Sequence, residues 1–296
     1  MLKKTLLLTL FLSSLLFNTS GLFAATSVLV DVSWLVKNYS SANIRVIDMS
    51  DDTQYQRFHI PGAIHLPYSA INYSTKAGIS YSIGRENLVK ILGLLGISNR
   101  HHVIIYDDMG GLNASRLFWE MEKIGHKNIS ILNGGLVSWI LSGKKVDAHP
   151  VTTAPLQYIP LRKNGRNNLV DFNSIRKPGF SDVLLDVRSQ EEYQGDPRYP
   201  RSGHIPGAKS LEWSEAINFD NAFKFKSDST LRKQLKNLGI DNPDTPITVY
   251  CHSGHRAAHS YFTLRHLGFT HVKLYDGSMA EYSGEKSAPL HKGSRP

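Results

Sequence analysis

The residues best suited to do chemistry lie in one run, Cys251-His252-Ser253-Gly254-His255-Arg256, between Tyr250 and Ala257. Cys251 is the only cysteine among 296 residues, so no disulfide forms within the chain. A lone thiol is either a small buried hydrophobe or a nucleophile. The preceding Ile247-Thr248-Val249-Tyr250 reads as a short buried strand, and Ala257 to Gly268 as a helix. A cysteine at that junction faces unpaired N–H groups and the positive end of the helix dipole, which favour a thiolate. His252, His255 and Arg256 add potential positive charge around the same rim. The chemistry that fits is attack by sulfur followed by storage of a small anion, and a persulfide terminus is a soft anion of that kind. His255 and His259 would share a helix face if the helix began early, but without a carboxylate or second thiol beside them no metal site is expected.

The elements that position this run come from an internal repeat. Ile44-Arg45-Val46-Ile47-Asp48, Tyr55 and His59-Ile60-Pro61-Gly62-Ala63 recur in order as Val183-Leu184-Leu185-Asp186-Val187-Arg188, Tyr193 and His204-Ile205-Pro206-Gly207-Ala208. Further on, the amphipathic stretch Leu88 to Ile97 matches Leu231 to Ile240. The strand Val103-Ile104-Ile105-Tyr106 matches Ile247 to Tyr250, and the helix Ala114 to Gly125 matches Ala257 to Gly268. Asn133-Gly134-Gly135 then aligns with Asp276-Gly277-Ser278. Short apolar strands alternating with helices predict two α/β domains of one fold, each a mainly parallel sheet with helices on both faces. The copies differ most at the strand–helix junction, where open α/β sheets bind ligands. The first copy has Asp107 to Asn113 there, one residue longer and without a thiol.

Lys3 and Lys4, the apolar run Leu6 to Phe17 and the small residues near Leu22-Phe23-Ala24 predict a cleaved signal peptide over residues 1–24. The apolar run is short for a bilayer span, so no stable membrane insertion is expected after cleavage, and the location is periplasmic or secreted. The domains divide as 25–150 and 161–286, joined by a proline-bearing linker at 151–160 and followed by a polar tail at 287–296 that is expected to fray. The net charge of +9 is spread along the chain and forms no stripe with interleaved aromatics, which argues against nucleic acid and leaves either a solvated basic surface or attraction of small anionic substrates.

In combination, the two Asp-to-His-Ile-Pro-Gly-Ala modules, the six-residue Cys251-to-Arg256 loop and Tyr275-Asp276-Gly277-Ser278 resemble the tandem-domain rhodanese sulfurtransferases over nearly the whole mature chain. The resemblance implies a catalytically silent first domain, with Asp107 or Asp108 in place of the cysteine. It also implies a double displacement in which Cys251 takes sulfur from a donor and passes it to cyanide, a thiol or a protein thiol, with no cofactor. Phosphatases of the same fold place five residues between Cys and Arg; here four intervene, which suits sulfur over a tetrahedral phosphate. Thiosulfate is the expected small anionic donor. Glu192 stands where mercaptopyruvate-using relatives have an arginine, which weakens 3-mercaptopyruvate as the alternative. A non-enzymatic sulfur carrier or redox-sensing binding protein is the remaining alternative. Asp186 and Arg188 are expected beside the loop, either supporting it or meeting the donor, and Arg198 and Arg201 in the insertion Gln194 to Gly203 are candidates for anion contact. His59 and His204, repeated in the silent copy, read as structural, and Asp276 as a backbone cap.

Overall fold

The computed structural model describes residues 27–160 and 165–296, and the expected signal peptide lies outside them. The first domain runs β1 (Leu29–Val30), α1 (Val32–Asn38), β2 (Ile44–Asp48), α2 (Asp52–Arg57), β3 (Ile64–His65), the hairpin β4 (Asn72–Ser74) and β5 (Ser80–Ser82), and α3 (Arg85–Leu94). It continues through β6 (His102–Tyr106), α4 (Leu112–Ile124), β7 (Ile129–Leu132) and α5 (Gly135–Leu141). The second repeats the order with β8 (Leu169–Val170), α6 (Phe172–Ile175), β9 (Val183–Asp186), α7 (Gln190–Gln194), β10 (Lys209–Ser210), the hairpin β11 (Ile217–Asn218) and β12 (Lys224–Phe225), and α8 (Asp228–Asn237). β13 (Ile247–Tyr250), α9 (His255–His266), β14 (Val272–Tyr275) and α10 (Ser278–Tyr282) complete it.

Each domain has one five-stranded parallel sheet, ordered β1-β7-β6-β2-β3 and β8-β14-β13-β9-β10. The strand alternation explains the two-sided burial. In the first sheet Ile47, Val103 and Ile105 face one apolar cluster, while Val46, Ile104 and Tyr106 face another. The former cluster is shared with the second domain and includes Phe118 of α4 and Phe262 of α9, whose rings meet edge to face at 4.9 Å. Among the described residues, no helix is long and apolar enough to cross a membrane.

The domains also exchange their hairpins. The Ser82 N–H at the end of β5 donates to Asp276 Oδ2 of the second domain at 2.7 Å, and the Phe225 N–H of β12 donates to Asn133 Oδ1 of the first at 3.0 Å. Each hairpin thus laps over the other domain's turn after the β7 or β14 strand.

Two sequence expectations change. The polar segment after residue 286 does not fray: His291 exchanges main-chain hydrogen bonds with His204 at 2.9 and 3.0 Å, as Asp147 does with His59 at 2.7 and 2.9 Å. The tail is the second copy of a strap present in both domains, and pairing through main-chain atoms leaves no side-chain signature to read. The helix after Cys251 starts at His255, two residues earlier than expected, so His255 and Arg256 belong to its first turn.

Burial pushes His102, His126 and His259 from the usual 6.5 down to about 4. The unfolded chain therefore takes up protons between pH 6.5 and 4 that the folded chain refuses, and folding stability present above pH 6.5 is lost across that window. Urea unfolding should show a loss of at least about 2 kcal/mol between pH 7 and pH 4.5; a flat profile there would show that these imidazoles titrate normally.

Candidate active site

Cys251 directly follows β13 and is 1% exposed. Its N–H and that of Gly254 both donate to Ser278 Oγ, at 3.2 and 3.1 Å, and the Ser278 hydroxyl donates to Tyr275 O at 2.7 Å. The carbonyls of Cys251 and His252 accept the N–H groups of Met279 and Ala280 at the start of α10. The start of α10 thus takes up two carbonyls and two N–H groups of the loop. Among the described residues the N–H groups of His252, Ser253, His255 and Arg256 meet no protein acceptor. These open donors, in the same loop as the thiol and at the start of α9, make a cradle available to an anion.

The first domain shows what such a cradle holds. Asp107 follows β6 as Cys251 follows β13. Its carboxylate accepts four main-chain N–H groups, those of Met109 at 2.9 Å, Gly111 at 2.8 Å, Asn113 at 2.7 Å and Ala114 at 2.9 Å. Burial pushes its carboxyl up and these donors work against that. Of the two aspartates singled out in the sequence, Asp107 occupies the position of the thiol.

Side-chain charge plays a smaller part than the sequence suggested. Burial, reinforced by Arg116 and Arg256, lowers His255 to about 3, so it is neutral at pH 7. Its Nε2 lies 2.8 Å from Asn113 Oδ1, an amide oriented by donation from its own Nδ2 to Met49 O, and its ring stacks on Tyr68 at 4.0 Å. His252 is exposed, and partial loss of solvent around its ring, with Arg256 and Arg188 nearby and Glu192 opposing, also lowers it. Arg256 forms a two-point ion pair with Glu192 at 2.6 and 2.9 Å. Arg188 does the same with Asp186 and donates to Gly203 O at 2.7 Å, which fixes it as a brace of the loop below the site. The rim is thus nearly charge-balanced, and the main chain supplies the anion-holding capacity.

Other candidates are placed elsewhere. Arg198 is engaged by Asp196 on the surface, and Arg201 donates to the carbonyls of Ser283, Glu285, Lys286 and Ala288, where it anchors the C-terminal strap. Ser253 is half-buried. Asp276 is not a simple cap: it accepts Arg116 of the first domain at 2.6 and 3.2 Å as well as the Ser82 N–H. Gly254 has φ +77°, and a Cβ there would lie 2.6 Å from Asp276 Oδ1; only glycine fits between the loop and this ion pair. His255 and His259 do share a helix face, but His259 Nε2 meets Gly110 O.

Sequence reasoning missed Ser278, Tyr68, Asn113 and Arg116. Ser278 left a trace: it stands at the position of Gly135 in the repeat, and the backbone there is left-handed in both copies, φ 51° and 50°. A side chain at that φ costs about 1–2 kcal/mol, offset by the three hydrogen bonds of its hydroxyl. The other three reach the site across the domain boundary and left no such trace.

A family model described as Rhodanese-like domain matches residues 31–142 and again 172–285. The chain is 34% identical over 287 residues to the sulfur carrier protein TtuD of Thermus thermophilus, covering 92% of this chain and 99% of that one. It is 33% identical to a putative thiosulfate sulfurtransferase of Mycobacterium leprae, covering 92% and 100%. It is also 29% identical to a thiosulfate sulfurtransferase of Corynebacterium glutamicum, covering 92% of each. The crystal structure of YnjE shares the fold with a TM-score of 0.77 over 90% of this chain and 69% of that one, at 23% identity. With both copies of the model matched and relatives aligned nearly end to end, the chain belongs to the rhodanese-like family and carries two of its domains in tandem.

Proposed function

We propose that the protein is a sulfurtransferase in which Cys251 carries a sulfane sulfur as a persulfide. The observation that supports this most is the pairing of cradles: where the first domain holds a carboxylate on four N–H groups, the second presents a thiol to donors left open. A thiolate becomes a longer anion on gaining one sulfur, and open main-chain donors can follow the charge to the terminal atom. Relatives named thiosulfate sulfurtransferase favour the same chemistry.

In the first half-reaction the Cys251 thiolate attacks the outer sulfur of thiosulfate. The new S–S bond forms as the old one breaks, and sulfite leaves with the bonding pair. In the second, cyanide or a thiolate attacks the terminal sulfur; thiocyanate or a new persulfide departs, and the pair returns to Cys251 as thiolate. Ser278 keeps the loop in register through both steps by accepting two of its N–H groups. Arg188 and Arg256, each held by a carboxylate, keep the walls fixed. The likeness to a named sulfur carrier supports a second reading, in which the acceptor is a protein thiol and not a small molecule.

Three outcomes are expected. Thiocyanate formation from thiosulfate and cyanide should be abolished in Cys251→Ala, and intact-mass measurement after thiosulfate should show one added sulfur on the parent only; equal activity in both proteins would sink the assignment. Replacing Ser278 by Gly removes the hydroxyl and also the backbone strain. Turnover should fall about tenfold or more, while the unfolding free energy stays within about 1 kcal/mol. We also propose export to the periplasm or medium, on the strength of Lys3, Lys4 and the apolar run that follows. N-terminal sequencing of the mature protein should begin near Ala25, and an intact Met1 would refute cleavage.

A further inference from the structure

The strap after α10 carries Lys286, Lys292 and Arg295 and no acidic residue after Glu285. With the loop bearing Pro200, Arg201 and Ser202 it walls an open cleft of about 550 Å³ that Lys286 and Lys292 also line. Around the catalytic loop every guanidinium described above is matched by a carboxylate. In the cleft the opposite holds. The Arg201 guanidinium is spent on carbonyl oxygens, and among the described residues neither Lys286 nor Lys292 meets a carboxylate. The nearest acid in sequence, Glu285, accepts the N–H and hydroxyl of Ser287 at 3.1 and 2.9 Å and keeps its charge, but Arg201, Lys286 and Lys292 outweigh it and leave the cleft net positive.

The cleft lies close to the thiol. α10 begins at Ser278, which holds the Cys251 loop, and the carbonyl of Ser283, the residue after it, accepts Arg201 Nε at 2.6 Å. Five helical residues rise about 7 Å, and Arg188, which braces the loop, donates to the carbonyl of Gly203, the residue after the cleft wall formed by Pro200, Arg201 and Ser202.

We propose that this cleft docks an acidic polypeptide segment next to the thiol of a protein that accepts sulfur from Cys251. The inference rests on the sulfur-transfer reading and names its acceptor class. Lys286 sits in the turn closed by Ala288 N–H and Glu285 O, and Lys292 lies four residues beyond that turn, two separate cations that suit a peptide bearing spaced carboxylates better than a compact anion. A polynucleotide is disfavoured, because such binding commonly engages roughly 6–10 phosphates and the cleft offers three cations. In the docked complex the partner's thiolate attacks the terminal sulfur, the Cys251 S–S bond breaks, and its electron pair returns to Cys251 as thiolate.

The test uses full-length protein loaded with thiosulfate and synthetic peptides with one cysteine flanked by Glu, Gln or Lys, with sulfur followed by mass. The Glu peptide should discharge Cys251 at least about fivefold faster than the Gln peptide at low ionic strength. The preference should vanish near 0.5 M salt, where the screening length is only a few ångströms. It should also vanish in the double variant Lys286→Glu, Lys292→Glu, whose reaction with cyanide stays unchanged. Anisotropy of a labelled Glu-rich peptide on Cys251→Ser protein reads docking without sulfur chemistry, so failure to load sulfur and failure to dock are separable. Equal rates for all peptides, a preference that survives charge reversal, or stronger competition by a single-stranded oligonucleotide than by polyglutamate would each overturn the proposal.

Discussion

The structure depends on one recurring constraint: where a parallel strand ends and a helix begins, several main-chain N–H groups converge and must be given an anion. In the first domain the chain answers with Asp107, whose two oxygens take four of them. In the second it answers with Cys251 and leaves donors to spare. A carboxylate fills the space with a fixed charge, whereas a thiol can lengthen by one atom and keep its charge at the new end. The two copies therefore differ in what completes the same electrostatic socket.

The first domain is part of the same site. Arg116, Asn113, Tyr68 and Ser82 all reach across from it, to Asp276, to His255 and to the turn that carries Ser278. Arg116 is fully buried between Asp276 and Glu120, and buried charges persist only when matched in this way. Through Asp276 this network bears on Gly254, and so on the loop itself. The second domain returns the contact through Phe225, whose N–H donates to Asn133 after β7, and through His259, which meets Gly110 O in the Asp107 loop.

The repeat, the strand–helix alternation and the location of Cys251 were legible because they rest on side-chain chemistry and periodicity. The electrostatics of the rim was not. His255 and Arg256 look cationic in a string of letters, but burial neutralises the first and Glu192, 64 residues earlier, balances the second. Arg201 looked like a substrate contact and is a clamp on main-chain carbonyls; the strap it holds looked like a loose end for the same reason. Main-chain partners carry no residue code. Two-residue edge strands such as Leu29–Val30 and Leu169–Val170 are likewise too short to show a period.

Asp107 has one more implication. A domain whose socket is filled by its own aspartate is permanently self-liganded: its resting state is already its occupied state, whatever the supply of sulfur. The neighbouring socket, in the loop of Cys251, has no such built-in ligand and leaves main-chain donors open. The repeat thus joins a self-filled half to an open one, and Arg116 and Ser82 of the first hold the Asp276 turn beside the second.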